Sequence, residues 1–235
     1  RLWFQEELAY GTTTFHIALG MEVRGPLNHA ALEQTFSEIV RRHETLRSVF
    51  PIIGGEVVQV IAPSSRLALP VVDLRKLDAR EQEAASRTQA EVEFARPFDL
   101  ETGPLARLVL LRHSEDEHTI VCVLHHIISD GWSKGVLMKE VSVLYAAFCQ
   151  GLPSPLQELP IQYADFAAWQ RQQLQGDVLD QALAHWRNNL ATATPLLELP
   201  ADRPRPPVQT YRGAMEVFLL SPDVVQQLKA LRQRR

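Results

Sequence analysis

Val121-Cys122-Val123-Leu124-His125-His126-Ile127-Ile128-Ser129-Asp130-Gly131-Trp132-Ser133 runs from an apolar segment through two adjacent histidines to an Asp-Gly break. Its apolar, β-branched opening predicts a strand buried on both faces. Successive strand residues point to opposite faces, so a strand that reaches His126 turns its two imidazoles apart. One ring can then look into a cleft while the other anchors the strand from behind. By parity His126 goes with Ile120, Cys122 and Leu124, and His125 with Val121 and Val123; parity leaves open which set faces the cleft. Asp130-Gly131 breaks the strand. Ser133 is placed to cap a helix with apolar positions Val136, Leu137, Val141, Leu144, Tyr145 and Phe148, ended by Gly151 and Pro153.

Outward from this centre, strands and helices alternate. Leu105 to Leu111 predicts a strand joined to the central one across a polar tip, His113 to His118. Before it, Asp78 to about Arg96 reads as a charged helix stopped by Pro97, and Pro97 to Pro104 as a rigid connection. Pro70 to Leu74 is a short strand, and Gly54-Gly55 a hairpin turn. Ala31, Leu32, Phe36, Ile39, Val40 and His43 form one apolar stripe on a helix over about residues 29–44, with Asn28 as its N-cap. Arg41 to Phe50 turns out of that helix into a strand. Thr13 to Arg24 is a strand and Leu2 to Leu8 a short amphipathic helix. Downstream come helices over about Ile161 to Leu174 and Val178 to Leu190, and a stiff linker from Pro200 to Pro207. A strand near Ala214 to Leu220 and a helix opened by Ser221-Pro222 complete the chain. The alternation predicts an α/β (α+β) fold with a mixed sheet flanked by helices. Trp3, Phe4, Tyr163, Phe166 and Trp169 have spacings that suit core packing, and Arg41 and Arg42 read as a solvated helix end.

Composition excludes several function classes. With 235 residues, 46% hydrophobic and 22% charged, and a formal charge of −4, the chain has no basic signature for nucleic acid or an anionic membrane. No apolar run approaches the ~18–20 residues of a membrane span. The start, Arg1-Leu2-Trp3-Phe4-Gln5, has no signal-peptide layout and reads as a cut edge inside a longer polypeptide. Two cysteines, Cys122 and Cys149, make no disulfide framework, which points to a reducing cytoplasm. No CxxC pair, Walker loop or GxGxxG is present, and adjacent strand histidines with opposed rings chelate poorly, so neither a cofactor nor a metal is expected.

The central stretch can carry acid–base chemistry. Neutral imidazole can take a proton from an attacking nucleophile and return it to a leaving group. Asp130, across the turn, could orient a ring or pair with an arginine and hold the loop. Gly131 permits positive φ or close backbone approach. The start of the next helix adds partial positive charge that would favour an oxyanion. No Ser or Cys sits at nucleophile-elbow spacing, so direct transfer between two bound substrates suits the layout better than an acyl-enzyme. His16, His29, His113, His118 and His185 have no constellation around them.

Four blocks, in order, resemble the condensation domain of nonribosomal peptide synthetases. They are Arg1 to Leu8, Arg42-His43-Glu44-Thr45-Leu46-Arg47-Ser48-Val49-Phe50, Leu124 to Ser133, and Tyr163-Ala164-Asp165-Phe166-Ala167-Ala168-Trp169. Pro97-Phe98-Asp99-Leu100 with Gly103-Pro104-Leu105, and Asp202-Arg203-Pro204-Arg205-Pro206, are also similar to the family's connecting text.

The resemblance implies a chloramphenicol-acetyltransferase-like lobe, half of a two-lobed, V-shaped domain about twice this length. Residues 1–200 would form the N-terminal lobe, and 201–235 the linker and start of the C-terminal lobe. The later motifs lie beyond the chain, so this fragment alone is expected to be inactive. It implies amide formation, with the amine of one carrier-bound aminoacyl thioester attacking a donor acyl or peptidyl thioester on another carrier. His126 would be the base or proton-positioning residue and His125 a support of the strand. Asp130 would be structural, salt-bridged to Arg47, to Arg42 or to an arginine of the second lobe. Gly131 would keep the tunnel open, with Trp132 beside it. Substrates would arrive on the phosphopantetheine of upstream donor and downstream acceptor carrier domains. An adenylation domain would belong to the same assembly line, in antibiotic or siderophore synthesis. The competing readings are an epimerisation domain, which shares the His-His-x-x-x-Asp-Gly motif, a non-catalytic carrier-docking relative, and a stand-alone acyltransferase completed by a neighbouring subunit.

Overall fold

Alternation of apolar runs with amphipathic segments yields the layered arrangement expected. The computed structural model describes residues 2–8, 11–194, 197, 199–204, 216 and 218–233. It divides into two compact units, Arg1–Leu196 and Leu197–Arg235.

In the first unit, helix α1 (Leu2–Leu8) leads to strand β1 (His16–Arg24) and helix α2 (His29–Arg42). A 3₁₀ turn over Glu44–Arg47 passes the chain to four two-residue strands, β2 (Ser48–Val49), β3 (Ile52–Ile53), β4 (Glu56–Val57) and β5 (Val60–Ile61). Then come β6 (Val71–Asp73), α3 (Ala79–Ala95), β7 (Ala106–Arg112), β8 (Glu117–His125) and α4 (Gly131–Cys149), followed by α5 (Tyr163–Gln173) and α6 (Gly176–Leu190). The second unit contains α7 (Pro222–Gln233).

The main sheet has the order β1-β8-β7-β6, antiparallel except for the parallel β6–β7 pair. β8 is therefore central. Its Val121, Cys122, Val123 and Leu124 are all buried, as a strand covered on both faces requires. α2 and α4 pack together, and Phe36, Ile39, Val141 and Leu144 join the core they share with the sheet, each contributing roughly 1.5–3 kcal/mol by leaving water. Asn28 accepts the Ala31 N–H at 3.1 Å and caps α2. Gly54 and Gly55, at φ 63° and 85°, make the β3–β4 turn, a conformation that residues with a Cβ rarely adopt.

Several expectations are corrected. The cap of α4 is Asp130, with Ser133 as its third helical residue: the Asp130 carboxylate accepts the Ser133 N–H at 2.8 Å, and Ser133 Oγ accepts the Asp130 N–H at 3.2 Å. Arg42 is not solvated; its side chain is 3% exposed, because the last turn of α2 lies against α4 and Glu140 meets the guanidinium there. Phe4, Tyr163, Phe166 and Trp169 are exposed rather than in the core, and only Trp3 of that set packs against it. Of the strand expected near 214–220, positions 214, 215 and 217 lie outside the described residues, and Glu216 and Phe218 to Leu220 are not in a strand. Among the described residues no helix is long and apolar enough to cross a membrane.

Candidate active site

At the end of β8 the two histidines part as strand parity requires. His125 is fully buried, whereas His126 is exposed and lines a cleft of about 480 Å³ together with Leu124. Of the even-numbered set, Leu124 and His126 face the cleft, while Ile120 and Cys122 lie in the core. The His126 N–H donates to the Phe15 carbonyl at 2.7 Å, extending the β1–β8 pairing one residue beyond the strand and fixing where the ring leaves the sheet.

His125 is held from behind. Its Nδ1 accepts the Ile127 N–H at 3.0 Å, so Nε2 carries the hydrogen and faces Glu6 Oε2 at 3.4 Å. Burial pushes the His125 pKa down to about 4 and raises that of Glu6, in each case by disfavouring the charged form. Rings of Phe15, His16 and Phe98 surround this imidazole, and the Arg107 guanidinium lies 3.7 Å over Phe98. Arg107 also donates to the Glu93 and Pro97 carbonyls at 2.9 and 3.2 Å, closing the C-terminal end of α3.

Neither expected arginine reaches Asp130. Arg42 reaches Glu140 Oε2 and Oε1 at 3.3 and 3.4 Å and donates to the Gln157 carbonyl at 2.9 Å. Arg47 pairs with Glu44 at 3.2 Å and donates to the Ala62 carbonyl. Asp130 instead accepts from Ser133. Those hydrogen bonds, first from the Ser133 N–H and then from its hydroxyl, hold the carboxyl below its ordinary range. That carboxylate sits at the start of α4, where its charge offsets part of the helix terminus's partial positive charge. Gly131 does not use a positive φ, and a Cβ placed on it would meet nothing within 4 Å. Trp132 stands 84% exposed on the cleft rim.

The structure also brings in groups that the chemical reading of the sequence left out. His43, the C-cap of α2, lines the same cleft, with Nε2 2.8 Å from Glu140 Oε2. Glu140 is buried; burial raises its pKa, but the bonds from Arg42 and His43 outweigh that and leave it lowered. A glutamate on the buried side of α4 was the available signal, since a charge there needs a partner. Thr45, Leu46, Val136 and Tyr163 complete much of the wall. Among the described residues no group of three or more His, Cys, Asp or Glu could hold a metal ion.

The model of the condensation domain family matches residues 1–235. A linear gramicidin synthase of Brevibacillus parabrevis is 44% identical over 234 residues, 100% of this chain and 5% of that protein. Phosphinothricin tripeptide synthetase PhsC of Streptomyces viridochromogenes is 40% identical over 235 residues, 100% of this chain and 22% of that protein. Among solved structures, the teicoplanin X-domain in complex with OxyB is 28% identical with a TM-score of 0.76, over 89% of this chain and 46% of that one. The starter condensation domain of rhizomide synthetase RzmA has a TM-score of 0.74 at 21% identity, over 83% and 46%. The chain thus spans under half the length of these solved relatives, and its sheet and flanking helices have their chloramphenicol-acetyltransferase-like fold. By sequence over its whole length and by the architecture around His126, the chain belongs to the condensation domain family.

Proposed function

We propose that this chain is the histidine-bearing lobe of a condensation domain that forms peptide bonds between carrier-bound substrates. The observation that carries the reading is the exposed His126 imidazole on the wall of the cleft, mounted on a strand whose adjacent His125 is fully buried. Residues 1–200 form the lobe, and 201–235 begin the passage to a second lobe that closes the cleft. The similarity to a linear gramicidin synthase and a tripeptide synthetase supports the same chemistry.

In this reading the acceptor α-amine attacks the donor thioester carbonyl carbon. The C–N bond forms and the carbonyl electrons move to oxygen. His126 accepts the proton released from the new ammonium, the tetrahedral centre collapses with loss of thiolate, and the imidazolium returns the proton to that sulfur. No covalent enzyme intermediate is needed. A thioester is already activated, so alignment of two tethered substrates can supply ~7–11 kcal/mol, and one positioned histidine a further ~10²–10⁴-fold. Asp130 acts by capping α4, His125 by holding the strand end, and the substrates come on the phosphopantetheine arms of two carrier domains.

The test is to supply a complete domain containing this lobe with separately loaded donor and acceptor carriers and weigh the intact carriers. Transfer of the donor acyl group onto the acceptor carrier is the expected result. Inversion of a carrier-bound residue without transfer would assign epimerisation instead. Carrier binding with neither reaction would leave only docking. The isolated chain is expected to give no transfer.

A further inference from the structure

We infer that His43 is a second substrate-contacting imidazole, whose Nδ1 accepts an N–H of the incoming acceptor amine. This rests on the amide-forming reading of the cleft and assigns the groups that would receive its nucleophile.

The geometry fixes which face of the ring is available. Glu140 is ionised and can only accept hydrogen bonds, and its Oε2 is 2.8 Å from His43 Nε2. That nitrogen therefore carries the hydrogen, and in the neutral ring it is Nδ1 that holds the lone pair. Glu140 is itself held by Arg42 at 3.3 and 3.4 Å, and Arg42 by the Gln157 carbonyl at 2.9 Å. The series Gln157–Arg42–Glu140–His43 thus orients one ring at the cleft wall. No described residue bonds Nδ1, and that atom is not among the buried unpartnered ones. The ring is 23% exposed and lines the cleft that His126 lines.

A primary amine attacking a carbonyl uses its lone pair and leaves two N–H groups needing acceptors. Several other polar side chains of the cleft are engaged. Asp130 and Ser133 bond each other, and the Ser129 hydroxyl turns back to the His125 carbonyl. Thr45 and Tyr163 carry hydroxyls that no charged partner orients. His43 is the acceptor with a fixed tautomer. It steers the amine, while His126 moves the proton.

The test uses the complete domain and two unreactive probes, an aminoacyl-pantetheine in which an amide replaces the thioester, and its analogue with hydrogen in place of the amino group. Calorimetry at a pH of about 8.5, where an α-amine is mostly neutral, gives the affinity ratio. We expect the amino probe to bind about tenfold tighter in the native domain. The ratio should fall to near one in His43→Leu and be largely retained in His43→Asn, which keeps an acceptor oxygen. A ratio unchanged in His43→Leu overturns the assignment. Should His43→Leu fail to fold, the ¹⁵N resonance of His43 Nδ1 in the native domain decides: a shift with the amino probe and not with its analogue supports the contact, and no difference overturns it. None of these readouts needs turnover, so failure of peptide formation in the loaded-carrier assay condemns the proposed function separately from His43.

Discussion

Replacing Glu140 by leucine should cost more stability than any exposed change on this lobe. Arg42 is 3% and Glu140 11% exposed at the side chain, and their nitrogens and oxygens lie 3.3 and 3.4 Å apart. Removing one partner of a buried pair leaves an uncompensated charge and costs ~3–5 kcal/mol. The surviving bond from Arg42 to the Gln157 carbonyl places the expected loss near the lower end, about 3 kcal/mol. At ~2–4 °C per kcal/mol for a domain of this size, Tm should fall by roughly 6–12 °C. The double change Arg42→Met with Glu140→Leu removes both charges and should recover most of that loss. Urea and thermal unfolding of the two single variants and the double provide the measurement. A Glu140→Leu cost below about 1 kcal/mol, or a double variant as unstable as the two singles added together, would refute the claim that the pair is buried and coupled. The pH dependence has a fixed sign. Glu140 titrates below its ordinary 4.5 in the folded protein, so its contribution is present above about 4.5 and is lost as pH falls through the lowered folded value.

Other consequences can be checked on the same protein. His125 is held neutral, with its pKa pushed from 6.5 to about 4. The unfolded chain therefore binds the proton first, and acidification from about pH 6.5 to 4 should cost roughly 3 kcal/mol through this group. In urea titrations across that range, His125→Asn should flatten the slope, and an unchanged slope would contradict the assignment. Asp130→Ala removes the α4 cap and should cost about 1 kcal/mol, read as a Tm drop of a few degrees; lost activity with unchanged Tm would instead give Asp130 a direct chemical role. Gly131→Ala adds a methyl that meets nothing within 4 Å, so the lobe should keep its stability while peptide formation by the complete domain falls. A marked loss of Tm would show that the glycine serves folding rather than the passage.

Much of the scaffold was legible because local rules and tertiary packing agree. Val121 to Leu124 reads as doubly covered and is buried, Asn28 reads as a cap and caps, and Gly54-Gly55 reads as a hairpin turn and makes one. The opposed histidines followed from the two-residue period of a strand, but which ring met the cleft depended on α1 and Phe98 covering the other face. Arg42 departs from the solvated position usual for a basic residue at a helix end because it pairs with Glu140, 98 residues away in sequence. The i, i+3 spacing of Tyr163, Phe166 and Trp169 reports a shared face and not what covers it; here the rings lie 5.9 and 5.8 Å apart on an exposed surface. Asp130 and Ser133 are both good caps by type. Only the backbone decides that α4 starts at Gly131 and so fills its own N-terminus with a carboxylate.

In the proposed reaction the imidazole of His126 handles the proton when the amine meets the thioester. Rapid-quench single-turnover transfer between two loaded carriers, comparing the complete native domain with His126→Ala, isolates that step. The rate should fall by ~10²–10⁴-fold with Tm unchanged, whereas transfer at close to the native rate would contradict it.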